Sequence, residues 1–231
     1  MPFFYLDYWY IVLVVPALLL AFWAQINVNT TFSRYSKVTA PSGMTGAESA
    51  RRVLEANGVV GVRIERISGN LTDHFDPKTN TIRLSESVYD ATTVSAVGVA
   101  AHEAGHAVQY AVGYSPMKLR AAIIPATNIG SQLAMPLVLL GLLLSSATLV
   151  DIGIVAFSMS TLFQLVTLPV EFNASRRAVA TLEASCVSAA EVKGAKAVLR
   201  AAALTYVAAL AVSLASLLRL ILLFGGRNRR D

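Results

Sequence analysis

The sequence predicts a mainly α-helical membrane protein with about four hydrophobic helices and a small α+β extramembrane domain that carries a short β-hairpin. Three observations predict it. Hydrophobic residues make up 55% of the 231-residue chain and charged residues only 14%, against about 25% charged in a typical soluble domain; the mean hydropathy is +0.58. The apolar residues are gathered into runs, several of which reach the roughly 20 residues that a spanning helix needs. One polar block, 27–118, separates the first run from the others and holds the turn signals of mixed helix and strand.

Residues 1–26 read as an N-terminal transmembrane anchor. The apolar part extends from Phe3 to Ile26, with Asp7 near its start and no Lys or Arg. Aromatic residues mark both ends: Phe3, Phe4, Tyr5, Tyr8, Trp9 and Tyr10, then Phe22 and Trp23. Such belts sit at bilayer interfaces. A cleaved signal peptide has a basic start and a shorter apolar core; both are missing, so the segment is expected to stay.

A transmembrane helical hairpin is expected over 119–170. Its first arm, Ala121–Leu149, is interrupted by Pro125, Asn128, Gln132 and Pro136, which suggests an interfacial or kinked beginning. Asp151 and Gly153 mark the turn, and the second arm runs from Ile152 to Val170. A helical region, 171–200, follows. The last piece, 201–231, holds an apolar helix, Ala201–Phe224, with Arg219 in its final turns and a basic tail, Arg227-Asn228-Arg229-Arg230.

Charge sets the expected orientation. Of the 19 Lys and Arg residues, ten lie between Arg34 and Arg120 and five between Arg176 and Arg200. A hairpin between the two blocks puts them on one side, which the positive-inside rule makes cytoplasmic. The basic tail then falls outside if the last helix spans, and inside if that helix only lies along the surface. The net charge of +5 is thus a topology signal. No nucleic-acid-binding motif, phosphate loop or fixed-period repeat accompanies it, so no nucleic-acid partner is expected. The lone cysteine, Cys186, excludes an internal disulfide and a cysteine-rich zinc module; among small residues it reads as a buried small side chain.

Within 27–118, Thr45 and Glu48 have capping-box spacing, and Asn57-Gly58 stops the helix they start. Val62, Ile64 and Ile67 suggest a strand. Thr72–Phe75 and Thr81–Leu84 flank the turn Asp76-Pro77-Lys78-Thr79-Asn80 and so predict a hairpin. The Thr81–Leu84 strand is the candidate edge for pairing an extended peptide. A helix is then expected from Thr92 to Val112, with Gly98 and Gly105 calling for close packing or for room at a site.

That helix holds His102-Glu103-Ala104-Gly105-His106. Residues four apart share a helical face, so both imidazoles can reach one ion. Glu103 points aside, where it can meet a metal-activated water and pass its proton to a leaving amine. The spacing is the zincin signature and makes the extramembrane domain zincin-like, with Zn2+ as cofactor. A catalytic zinc takes three protein ligands. No His follows His106, so the third ligand comes from elsewhere, and Glu171 is the candidate: an acid at the end of a span needs a partner, and the hairpin returns it to the side of His102. Asp151 falls on the far side. Glu183 and Glu191 read as surface charges on a solvated helix. His74 is either a ligand or transition-state donor, or a hairpin residue that bonds locally; the second is preferred.

With these residues in place the chain resembles the YugP-type family of membrane neutral zinc metallopeptidases, over nearly its whole length. The resemblance rests on Asp73-His74-Phe75-Asp76-Pro77, on Val99-Ala100-Ala101-His102-Glu103-Ala104-Gly105-His106-Ala107-Val108-Gln109, and on Pro169-Val170-Glu171-Phe172-Asn173-Ala174-Ser175-Arg176-Arg177-Ala178. The pattern is also similar to that of HtpX-type and CAAX prenyl protease gluzincins, which implies His102, His106 and Glu171 as ligands and Glu103 as base. Ser175 stands where those proteins have Asp, which puts the supporting role of that Asp in doubt here, and Arg176 or Arg177 either supports the site or substrate or makes surface or lipid-headgroup contact. The resemblance implies an endopeptidase of the bacterial membrane, acting on membrane or misfolded protein substrates from the cytoplasmic side. A hydrolase of another amide, and an inactive scaffold with a structural zinc, are the competing readings; the intact Glu103 argues against the scaffold.

Overall fold

A computed structural model describes residues 7–185 and 187–225. The expectations for Phe3, Phe4, Tyr5, Cys186 and the tail Arg227–Arg230 lie outside the described residues. The described residues are mainly helical, with a three-stranded sheet and four helices long and apolar enough to cross a membrane. It divides into two compact units: residues 1–24, 119–168 and 205–231 form one, and residues 25–118 and 169–204 the other.

The first unit is built from long apolar helices. A π-helical stretch, Tyr10–Val14, leads into α1, Val15–Tyr35. Helix α5, Ser115–Leu143, runs unbroken through Pro125 and Pro136, and α6 spans Ala147–Ala184 with Pro169 inside. The expected hairpin therefore exists, but its turn lies at 144–146, where Ser145 takes φ 52°, and not at Asp151–Gly153, which are helical. Small residues decide this register. A Cβ added at Gly153 would come within 2.9 Å of the Ala134 carbonyl oxygen, and one at Gly141 within 2.7 Å of the Val150 backbone nitrogen. Gly153 is thus a packing position between helices, as small residues are in membrane interfaces. Helix α7, Ala189–Phe224, joins the same unit through the Thr161–Ser213 hydroxyl pair at 2.7 Å.

The second unit holds the mixed structure. Helix α2, Gly46–Ala56, opens with the capping box read from the sequence: Thr45 Oγ1 accepts from the Glu48 amide, and the Glu48 carboxylate accepts from the Thr45 amide. Strands β1 (Arg63–Ile67), β2 (His74–Asp76) and β3 (Thr81–Ser85) form a sheet in the order β1-β3-β2, with β3 parallel to β1 and antiparallel to β2. The β2–β3 hairpin is as expected. The edge assignment is corrected: Thr81–Leu84 lies in the central strand, paired on both sides, so β2 is the edge beside it. A four-residue helix, α3 (Glu86–Tyr89), connects to α4, Val94–Ala111, which is capped by Thr93.

Helix α4 is the centre of this unit. Its Ala96, Val97, Ala100, Ala101, Ala104 and Val108 are buried against α2, β3, α6 and α7. Its two glycines answer the sequence directly. A Cβ at Gly98 would meet Ala195 of α7 at 3.2 Å, and one at Gly105 would come within 2.5 Å of the Ala174 carbonyl oxygen of α6. Glu191 corrects another expectation. It is 1% exposed, because its carboxylate accepts from the Ser42 amide at 3.0 Å and the Ser42 hydroxyl at 2.7 Å and so ties that loop to the first turn of α7.

Candidate metal centre

The helical spacing of His102 and His106 stacks their rings edge to face, with centroids 4.7 Å apart. The close approach of α6 at Gly105 brings Glu171 across from them. Glu171 Oε2 lies 3.2 Å from His102 Nε2 and 3.5 Å from His106 Nε2, and the three ligand atoms all lie within 4.8 Å of one another. An ion held tetrahedrally by bonds of 2.0–2.2 Å needs donors about 3.3–3.6 Å apart. The donor set of two imidazoles and one carboxylate thus fits a zinc ion in chemistry and in spacing. Among the described residues it is the group of His, Cys, Asp and Glu close enough to hold a metal.

Each ring nitrogen that faces away from this point is also held. Ser175, one turn after Glu171 on α6, places its hydroxyl 3.0 Å from His102 Nδ1, so the position that departs from the gluzincin pattern still carries a hydrogen-bonding partner. His106 Nδ1 lies 3.0 Å from Gln109 Oε1. The Gln109 amide nitrogen donates to the Val170 carbonyl at 2.8 Å and to Asn173 Oδ1 at 3.0 Å. With its NH2 group committed to two acceptors, the Gln109 oxygen must accept, so Nδ1 of His106 carries a proton and Nε2 faces Glu171, as an N–H donor when the ring is charged and as a lone pair when it is neutral. Arg177 Nε in turn donates to Asn173 Oδ1 at 2.9 Å. Burial disfavours the charged form of His106, but the Glu171 hydrogen bond, the Glu103 and Glu171 charges and Gln109 outweigh it and lift its pKa above the ordinary histidine value. The pocket favours positive charge, as a cation site should.

Glu103 is buried beside the two rings on α4, and its carboxylate makes no hydrogen bond or ion pair among the described residues. The other candidates stand apart. Asp151 is exposed in the other unit and Glu183 is exposed on α6. His74 is exposed on β2 with Nδ1 2.8 Å from the Thr72 carbonyl oxygen, the local bond preferred from the sequence. Gln109 and Asn173 were not singled out there. The signal was available: Gln109 is three residues past His106, on the same helical face, yet a glutamine at that spacing reads equally as a surface residue until its burial is known.

These features define a helical membrane protein with a His-His-Glu cluster that could hold a metal ion. The chain belongs to the family described as "Putative neutral zinc metallopeptidase", whose model matches residues 10–225. It is 49% identical over 223 residues to a Bacillus subtilis (strain 168) protein described as "Putative membrane protease YugP"; the match covers 96% of this chain and 98% of that relative. No solved structure matches it. Family and helices together make it an integral membrane protein.

Proposed function

We propose that the chain is a zinc-dependent membrane endopeptidase that hydrolyses peptide bonds of membrane or misfolded proteins on the cytoplasmic side, with His102, His106 and Glu171 as zinc ligands and Glu103 as general base. The observation that carries the reading is the convergence of both Nε2 atoms on one Glu171 oxygen, with an uncommitted carboxylate beside them. The chemistry a zinc ion supplies at such a site is Lewis acidity, which lowers the pKa of water to about 7 and polarises a carbonyl.

The protein's own groups do the rest. Glu103 takes a proton from the attacking water as its oxygen bonds the scissile carbon, then delivers that proton to the leaving amine nitrogen as the C–N bond breaks. Glu171 offsets charge, while Gln109 and Ser175 keep the rings aimed. The cytoplasmic placement is supported by the 15 Lys and Arg residues in the blocks 34–120 and 176–200.

Zinc content and cleavage of casein test the reading. Glu103→Ala is expected to keep zinc and lose about 100- to 10,000-fold in cleavage rate, the usual contribution of general acid–base catalysis. Glu171→Ala is expected to weaken zinc binding. Cleavage by Glu103→Ala at the wild-type rate, or wild-type zinc affinity in Glu171→Ala, overturns the assignment.

A further inference from the structure

A cavity of about 510 Å³ opens between α6 and α7 within the second unit. Arg176 on α6 and Lys196 and Arg200 on α7 line it, with Glu183 the acid among its walls. Among the described residues none of the three cations has an ion-pair or hydrogen-bond partner. Lys196 and Arg200 are four apart on one helix, an arrangement of like charges that is destabilising by itself. Three cations facing one concave space, against one exposed carboxylate, raise the local potential and attract an anion.

Two observations say which anion. The first is depth. No Lys, Arg, Asp or Glu occurs in 152–170 of α6 or in 201–218 of α7. Arg176 therefore follows one apolar run within two turns, and Arg200 immediately precedes the other, which sets the cations at the level of lipid headgroups. Phe172 and Leu199 give the cavity an apolar wall beside them. The second is direction. Ser175 lines the cavity and bonds His102 through Nδ1, while His102 Nε2 faces Glu171. The cavity thus borders His102 on its Nδ1 side, while the nitrogen that faces Glu171 is the other one.

We infer that this cavity binds the phosphate of an anionic phospholipid headgroup through Arg176, Lys196 and Arg200. The site is independent of catalysis and stands whether or not the chain cleaves peptides. The charges are complementary: a phosphodiester is singly negative, within reach of three donors of charge-assisted bonds.

Native mass spectrometry of the full-length protein in neutral detergent, titrated with phosphatidylglycerol, tests this. The wild type is expected to retain a bound phosphatidylglycerol, and the zwitterionic phosphatidylcholine is expected to bind far more weakly. Each cation neutralised is expected to weaken binding about fivefold, so that Arg176→Gln/Lys196→Gln/Arg200→Gln together lose about a hundredfold. Arg51→Gln/Arg52→Gln on α2 is expected to bind as the wild type does. An unchanged melting temperature by circular dichroism reports that the triple variant is folded; should it fail to fold, Lys196→Gln alone must show the single fivefold loss. Retention of phosphatidylglycerol by the variants at wild-type strength overturns the inference. So does inorganic phosphate that displaces the lipid at equal concentration, since the site would then serve a soluble anion.

Discussion

Gln109 is fully buried and uses both ends of its amide, accepting from His106 and donating to the Val170 carbonyl and to Asn173. Truncation takes this partner from the buried His106 Nδ1 and Val170 carbonyl, at about 1–3 kcal/mol for each that finds no other, while Asn173 Oδ1 keeps Arg177, and it frees the His106 ring to turn. Gln109→Ala is therefore expected to lower zinc affinity about 10- to 100-fold, measured by competition with a chromophoric chelator. Wild-type affinity in that variant would show that packing alone fixes the ring. Residue identity was legible where chemistry restricts it: His102 and His106 stand four apart, and Glu171 is an acid at the end of an apolar run. Gln109 and Asn173 were not, since neutral polar residues suit a surface as well as a buried network, and only the α4–α6 approach separates the two; Ser175 stood out only as a departure from a family pattern. Glu191 shows the same limit in reverse: an acid in the first turn of a helix looked solvated until its Ser42 partners, far away in sequence, were seen.

Elements carry the site by their spacing. Replacing a helical glycine with alanine gains up to about 1 kcal/mol of helix propensity, so at Gly98 and Gly105 propensity and packing compete. At Gly105 the new Cβ would come within 2.5 Å of a backbone oxygen that cannot rotate away, whereas at Gly98 the nearest atoms lie at 3.2 Å. Gly105→Ala is thus expected to part α4 from α6, lower the unfolding temperature and weaken zinc binding, while Gly98→Ala is nearly neutral. Stabilisation of both variants, as propensity alone demands, would contradict the packing argument. The β2–β3 hairpin adds a pH-dependent element. The Arg83 guanidinium, then Thr79 and the Lys78 amide, hold the Asp76 carboxyl well below its ordinary value of 3.8. A depressed folded pKa stabilises the hairpin above that ordinary value and is lost as the pH falls from there. Amide protection in Phe75 and Ile82 is expected to drop below pH ~4 in the wild type and to lack that step in Asp76→Asn; equal steps in both would remove Asp76 from the account. The hairpin and the capped helix were legible because turn and cap residues act locally. The 144–146 turn was not, because Ser145-Ser146 is a weaker turn signal than Gly, Pro, Asn or Asp, whereas Asp151 and Gly153 resemble a turn although Gly153 serves helix packing.

At the scale of the whole chain, the sequence left one question to the last helix: whether it crosses or lies along the surface. A charge pair in the first unit, which ordinary hydropathy does not register, argues for a crossing. Asp7 caps the start of the first helix by accepting from the Tyr10 amide at 2.8 Å, and its other oxygen accepts from Arg219 Nε at 2.8 Å and Nη2 at 2.5 Å. The Arg219 guanidinium also lies over the Tyr10 ring, 5.2 Å from its centre. Intramembrane charges are tolerated when they meet each other, so the two polar residues that interrupt the first and last apolar runs explain one another. The pair puts the start of the first helix and the end of α7 at the same level. We expect from this pairing that the two helices run antiparallel and that four crossings return the chain to the face where it began. A single cysteine at Gly225, in a chain with Cys186→Ser, is therefore expected to react with a membrane-impermeant maleimide from outside intact cells, and one at Thr79 only after the membrane is opened. Labelling of both positions from the same side would mean that α7 does not cross, and the Asp7–Arg219 pair could not then form across the bundle as described.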